Sequence, residues 1–308
     1  MPLRLFLSSG DLAADRRYEF ARDLRLKGDL PAASDLLEQA IELAPKFTSA
    51  WFTLGEIRDQ LGQREAAIAA FRAARDADPE DRHGASLHLM KLGVEAVAPM
   101  PPTYVQTLFD QYAPRFEAAL IGDLGYRGPA LLFKAVLSVR SAAKKPAFFK
   151  RAIDLGCGTG LAAGAFSKNV DRFVGIDLSP RMVEKARATG FYAELEVDDM
   201  LRGIRCKPDA SAELILAADA MVYVAELAPV LAEARRVLAT GGLLAFTTET
   251  HDGEGVTLGE GLRYAHSAAH VRTTVAAAGL TLVRLEALSI RNEDNVPAPG
   301  LVAVATKP

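Results

Sequence analysis

The residues best placed to do chemistry lie in Ala152-Ile153-Asp154-Leu155-Gly156-Cys157-Gly158-Thr159-Gly160. An apolar run carrying an acid enters a loop with glycine at every second position. Such glycines let the backbone approach a ligand closely, and a helix that follows would offer free N–H donors. A second acid, Asp177, closes Arg172-Phe173-Val174-Gly175-Ile176-Asp177, 17 residues after Gly160. An acid at a strand end commonly accepts hydrogen bonds from ribose hydroxyls. Cys157 sits where many small residues would serve, so its backbone is expected to matter more than its thiol. With Cys206 it supplies neither a disulfide framework nor a four-ligand zinc site.

Further along, His251 is followed by Arg263-Tyr264-Ala265-His266-Ser267-Ala268-Ala269-His270. These residues come after the fifth expected strand, on the side where ligands enter open α/β sheets. His251, His266 and His270 are therefore candidate general bases, and Arg263 and Tyr264 candidate acceptor-binding residues. Helix capping and loop packing is the competing reading. The His266–His270 pair has no acid at matching spacing and no evident third ligand, so no metal site is expected. His88 reads as a surface or packing residue.

The elements that must position these groups alternate along the chain. A helix over about 161–168 follows the glycine loop, and the strand 172–177 comes next. Ser179-Pro180 caps and starts a helix that Gly190 terminates. A third strand over 193–197 runs into Asp198-Asp199-Met200. Residues 213–219 read as a fourth strand, and Gly241-Gly242 turns into a fifth over 243–248. A helix over about 267–278 closes at Gly279, a sixth strand follows, and the last covers 301–305. This alternation is the pattern of a doubly wound α/β sheet.

The loop does not fit the dinucleotide fingerprint G-x-G-x-x-G, because its glycines are at 156, 158 and 160. That spacing excludes a nicotinamide oxidoreductase. Asp-x-Gly-x-Gly-x-Gly instead resembles the first motif of class I S-adenosylmethionine-dependent methyltransferases. The resemblance, over about residues 104–308, implies a seven-stranded Rossmann-like sheet, S-adenosylmethionine as cofactor and S-adenosylhomocysteine as product. It places Asp154 near the methionine ammonium, with Gly156, Cys157, Gly158 and Gly160 around the ligand, and Asp177 with Leu178 at the ribose. Asp199 would meet the adenine amino group and Met200 its ring. Asp219 would stand at the edge of the methyl-transfer site, and Tyr112 on a helix closing over the methionine end. Tyr223, in Asp219-Ala220-Met221-Val222-Tyr223, is a further candidate acceptor residue. That segment lacks the Asn/Asp-Pro-Pro-Tyr tetrapeptide of amine-methylating DNA and glutamine enzymes, which counts against those acceptors.

The N-terminal third repeats itself. An offset of 34 residues pairs Phe20 with Leu54, Ala21 with Gly55, Ala33 with Ala67, Leu37 with Phe71, Ala40 with Ala74 and Pro45 with Pro79. Trp51-x2-Leu54-Gly55 followed by Ala67, Phe71, Ala74 and Pro79 resembles the tetratricopeptide repeat. Two repeats over 11–79 and a capping helix over 82–97 are expected. The proline cluster 98–102 then breaks the chain, and Thr103 is expected to cap a helix whose aromatics at 109, 112 and 116 share one face. The basic run between Ser138 and Arg151 reads as a solvated connection. The expected division is therefore a repeat module 1–98, a linker with cover helices 99–150, and a catalytic core 151–308.

The chain has 308 residues, with 36 basic and 39 acidic side chains and a formal net charge of −3. That balance excludes a generally basic, polyanion-coating protein. No stretch reaches the ~18–20 apolar residues that cross a bilayer, and the first ten residues lack a secretory pattern. A cytoplasmic enzyme is expected. Its acceptor is unidentified; the covered pocket favours a small molecule slightly over a protein, with the repeats serving a peptide partner or self-assembly. An adaptor carrying a degenerate methyltransferase scaffold is the alternative.

Overall fold

The computed structural model describes residues 5–116, 125–293 and 296–308. The chain forms two compact units, residues 1–108 and 109–308.

Four helices, α1 (Leu12–Leu26), α2 (Leu30–Leu43), α3 (Thr48–Gln60) and α4 (Arg64–Ala77), build two hairpins in the first unit. Asp11 caps α1 by accepting from Ala13 N and Ala14 N. The turn glycines Gly28 and Gly62 hold φ of +84° and +73° with nothing near a would-be Cβ, so the backbone conformation, not packing, demands glycine there. Gly55 is the opposite case: a Cβ would lie 2.7 Å from the Phe71 ring, so its absence sets how closely α3 meets α4. The expected capping helix is shorter than 82–97, running from Ala85 to Lys91 as α5.

Helix α6 (Pro102–Tyr112) begins one residue before the expected cap. Pro102 occupies the first position, where a missing N–H costs nothing, and Thr103 instead donates its hydroxyl to the Glu80 carbonyl. The basic run is not a connection throughout. Its first part is the last turn of α7 (Gly128–Ala142), a helix the charge pattern concealed.

In the second unit β1 (Phe149–Leu155), α8 (Leu161–Phe166), β2 (Val170–Asp177), α9 (Pro180–Thr189), β3 (Tyr192–Val197), α10 (Met200–Arg205), β4 (Ala212–Ala217), α11 (Leu227–Val237) and β5 (Leu238–Glu249) alternate. Gly241 and Gly242 thus lie inside β5, where its pairing with β4 shifts register. There follow β6 (Val256–Leu258), β7 (Tyr264–His266), α12 (Ala268–Ala277), β8 (Thr281–Ala287), β9 (Asn292–Glu293), β10 (Val296–Pro297) and β11 (Gly300–Thr306). The main sheet path is β3-β2-β1-β4-β5-β11-β8, with β6 and β7 added beside β5. The first five strands are parallel; β11 runs antiparallel to both β5 and β8.

Burial explains the two layers. On β4, Ile215 and Ala217 join a core with α10, α11 and α12, whereas Leu214 and Leu216 join one with α7 and α8. A strand buried on both faces reads as a continuous apolar run, as this one does. Among the described residues, no helix is long and apolar enough to cross a membrane.

Candidate functional site

The chain leaves β1 for β2 and β3 on one side, then crosses to β4 on the other. The crevice between the ends of β1 and β4 is where open α/β sheets bind ligands. Two loops flank it, Gly156–Gly160 after β1 and Ala218–Val224 after β4. They meet: a Cβ on Gly156 would lie 2.6 Å from that of Ala220.

Gly156, Gly158 and Gly160 hold φ of +66°, +53° and +96°. The loop is fixed by its own donors. The amides of Gly156 and Cys157 both donate to the Ile176 carbonyl, at 2.8 and 3.0 Å, and Gly158 N donates to Asp177 Oδ2 at 2.8 Å. The other Asp177 oxygen accepts from Ser179 N at 2.9 Å. Burial pushes the Asp177 carboxyl up to about 6, against the lowering effect of these bonds. Gly156→Ala should therefore fail on two counts, left-handed backbone and steric overlap. It is expected to weaken nucleoside-ligand binding at least tenfold in calorimetry; undiminished affinity would show that the loop yields.

Asp154 is fully buried. Its Oδ2 accepts from the Tyr192 hydroxyl at 2.7 Å, while among the described residues Oδ1 has no partner, nor has the buried Thr159 hydroxyl. Burial raises the Asp154 carboxyl to about 7, the Tyr192 bond opposing and the Asp177 charge adding. Tyr192 was not legible as a site residue. Its signal is Gly175 in mid-strand: a Cβ there would lie 2.8 Å from the Tyr192 ring, which crosses β2 at that point.

A small cavity opens beside this loop, lined by Phe116, Tyr126, Pro129, Leu161, Ala162 and Ala218 with residues 156–159. Cys157 lines it with a buried thiol that burial pushes well up, leaving it inert. Phe116 arrives because the end of α6 is tied down. Ser179 Oγ donates to Asp110 at 2.5 Å, and Arg181 Nη1 to the Asp110 carbonyl at 3.2 Å. The helix ends at Tyr112, so Phe116 lies beyond a 3₁₀ turn over 113–115. The three aromatics still share a face, with Phe116 edge-on to Phe109 and Tyr112 at 6.1 and 5.6 Å. Phe109 packs on Tyr223 at 5.2 Å.

Other expected residues fall as follows. Asp199 caps α10, accepting from Leu201 N and Arg202 N at 2.9 and 3.1 Å, and Met200 Cε lies 4.0 Å from a Cβ position at Gly156. Leu178 is half-buried between Asp177 and Ser179. Tyr264 is core, fully buried in β7, its phenol pushed up to about 12 by burial.

The three histidines do not act alike. His251 accepts from Gly253 N at 3.1 Å and lies 3.2 Å from the Gly255 carbonyl, so both ring nitrogens serve its own loop. His266 is fully buried, donates through Nε2 to the Val224 carbonyl at 3.0 Å, and is lowered to about 4, chiefly by burial. His270 stacks on His266 at 5.7 Å and has its amide bound by the capping Ser267. Capping and packing account for these contacts.

A cluster that sequence reading half-missed lies at the other end of the crevice. Arg291, 3% exposed, donates to Asp219 through Nη1 and to Glu249 through Nη2. Arg263 donates to the same Glu249 oxygen at 2.6 Å. Asp219 itself holds φ of +56°, with its amide fixed on Thr247 Oγ1 at 2.8 Å. Burial raises its carboxyl despite Arg291. Among the described residues, no group of three or more acidic, histidine or cysteine side chains could hold a metal ion.

Fold and crevice together give the second unit a Rossmann-like methyltransferase fold, which follows a helical module of tetratricopeptide type. Residues 153–246 match the family model described as methyltransferase domain, and residues 24–89 match the tetratricopeptide repeat. The chain is 36% identical over 140 residues to an uncharacterized 37.1 kDa protein in transposon TN4556 of Streptomyces fradiae, covering 42% of this chain and 39% of that one. It is 28% identical over 170 residues to human methyltransferase-like protein 27, covering 54% and 67% respectively. The chain thus spans about two fifths of the first relative's length and two thirds of the second's. The 4+2 cyclase SpnF has the same fold, with a TM-score of 0.53 at 20% identity over 69% of this chain and 97% of that one.

Proposed function

We propose that this chain transfers the methyl group of S-adenosylmethionine to a small-molecule acceptor, with the repeat module engaging a protein partner. The observation that carries the reading is Asp154 Oδ1, unpartnered among the described residues and two residues before the glycine loop that lines the cavity. A buried carboxylate oxygen without a donor is costly unless a ligand supplies one. An ammonium does so, and S-adenosylmethionine has one. Asp177 keeps lone pairs for ribose hydroxyls beyond its two amide bonds, Asp199 and Met200 stand at the next strand end for the adenine, and Tyr112 belongs to the aromatic cover. When bound, the cofactor supplies an electrophilic methyl on a sulfonium, displaced in line by an acceptor lone pair.

The chain's part in transfer is alignment and exclusion of water. Phe109, Tyr112 and Phe116 provide the apolar cover, which suits a small acceptor better than a protein segment. An acceptor hydroxyl must also lose a proton. Asp219, next to cavity-lining Ala218 and raised by burial, suits that task better than His251, whose ring nitrogens serve its own loop, or His266, whose basicity burial lowers. Arg263 and Tyr223 belong to the same acceptor region.

A second reading, an adaptor with a catalytically idle scaffold, is favoured by one fact: the same fold also serves a protein named as a cyclase, and fold does not transmit function. Calorimetric titration with S-adenosylmethionine and S-adenosylhomocysteine, with NADH as control, tests the cofactor. Micromolar binding with NADH silent is expected, weakened at least tenfold by Asp177→Ala. Release of S-adenosylhomocysteine during an acceptor screen then separates enzyme from adaptor. No binding of either adenosyl compound by folded protein would end the enzyme reading.

A further inference from the structure

The first unit carries something across one of its faces. Residues 5–9 have no regular secondary structure, yet they are held at successive points. The Phe6 ring stacks on Tyr18 with centroids 5.3 Å apart and meets Phe47 edge-on at 6.2 Å. Leu7 N donates to Ser49 Oγ at 2.8 Å, and the same hydroxyl lies 3.2 Å from the Leu7 carbonyl. One serine at the start of α3 thus reads both backbone polar groups of one residue. Beyond it, Ser9 N donates to Asp15 Oδ1 at 2.8 Å, and the hydroxyls of Ser8 and Ser9 donate to the same carboxylate at 2.5 and 2.7 Å.

The receiving residues come from separate elements: Tyr18 and Asp15 from α1, Phe47 from the α2–α3 connection, and Ser49 from α3. Ser49, Tyr18 and Phe47 are all 1% exposed or less. The segment is held by an aromatic anchor, a backbone clasp and a carboxylate, all on the repeat helices and their connection.

We propose that Leu5–Ser9 is a tethered occupant of the repeat module's peptide face, and that the module's partner is an extended peptide that must displace it. The occupant states the partner's chemistry: an aromatic residue, then a residue whose N–H and C=O both remain free for Ser49, then a hydroxyl side chain for Asp15. The tether sets the energetics. Its covalent link to α1 holds the occupant at an effective concentration of ~1 mM, so an occupant of ~50 μM intrinsic affinity weakens any outside peptide roughly 20-fold. The module is therefore selective for peptides that outbid its own, whatever the second unit catalyses.

The probe is a labelled peptide of this chain's own residues 5–10, Leu-Phe-Leu-Ser-Ser-Gly, read by fluorescence anisotropy on the full chain. Phe6→Ala/Leu7→Pro removes the anchor and the donated amide; this variant should bind the probe at least tenfold more tightly than the unaltered protein. Adding Ser49→Ala should abolish the gain. A variant of native helicity that binds no tighter, or binds independently of Ser49, overturns the proposal. Hydrogen exchange on the unaltered protein is a second reading that needs no variant. The Leu7 amide should be protected, and excess probe should remove that protection. An amide that exchanges freely, or stays protected at saturating probe, overturns it equally.

Discussion

Asp154→Asn should stabilise the ligand-free protein at neutral pH while weakening its hold on S-adenosylmethionine. Both effects come from one carboxylate with one donor. Asp154 is buried among apolar strand residues, with Tyr192 on one oxygen and nothing on the other. Burial raises it to about 7, from ~3.9 in an unfolded chain. The folded value being the higher, its favourable contribution is complete below pH ~4 and is lost as pH rises through about 7. Above that point the ionised group costs the empty fold on the order of 3–4 kcal/mol, at ~1.4 kcal/mol per pH unit. Asp177, raised to about 6, acts with the same sign. Urea unfolding should therefore show the protein less stable at pH 8 than at pH 5, with most of that difference gone in the variant. Asparagine still accepts from Tyr192, so the local packing survives. Ligand binding runs the other way. An ammonium favours the ionised form, so affinity of the unaltered protein should rise with pH up to about 7 and then level off. The variant should be at least tenfold weaker at pH 8 and nearly flat with pH. Equal affinity at pH 8 would show that Asp154 is not the ammonium's partner.

How legible was this in the sequence? Asp154, Gly156, Gly158, Gly160 and Asp177 could be placed because each answers a local demand. Positive φ selects glycine, and a strand end selects an acid with nearby amides to accept. The repeat pairings Ala21 with Gly55, Ala33 with Ala67, Leu37 with Phe71 and Ala40 with Ala74 were legible for a similar reason, since close helix approach fixes residue size at fixed spacing. What escaped depended on distant partners. Tyr192 reaches Asp154 across β2, 38 residues away. Arg291 meets Asp219 across 72 residues, from a segment whose own pattern says only that it is irregular. Helix α7 was hidden because Arg140, Lys144 and Lys145 outweighed the apolar Leu132, Ala135 and Val136 that it buries. The histidines misdirect for the converse reason. Spacing puts His266 and His270 near a ligand-facing edge, but burial leaves His266 with a lowered basicity that no sequence pattern records.

Arg291→Leu should be the most damaging single change in the second unit. The guanidinium is almost wholly enclosed and spans two carboxylates, Asp219 and Glu249. Removing it leaves two half-buried acids, with Arg263 still bound to Glu249. Breaking a buried ion pair from one side costs about 3–5 kcal/mol, because the remaining charge has lost its compensation. Arg291→Lys should recover only part of this, since one ammonium cannot reproduce a fork that reaches two carboxylates at once. The pH response identifies the cause. If the loss is electrostatic, the Asp219 carboxyl of the variant rises further, so the deficit should shrink as pH falls from 8 to 5 and that group takes up a proton. A deficit that comes from lost packing would not change with pH. Pairing Arg291→Leu with Asp219→Asn should cost less than the two changes summed, by about 1–3 kcal/mol, because the residues share one network. Strict additivity would separate them energetically despite their contact. The catalytic consequence follows from position. Asp219 sits on a left-handed backbone next to the cavity wall, with its amide held by Thr247 and its side chain by Arg291. Without Arg291 the side chain loses that anchor, and turnover should fall by more than stability alone explains when both are measured well below the unfolding temperature.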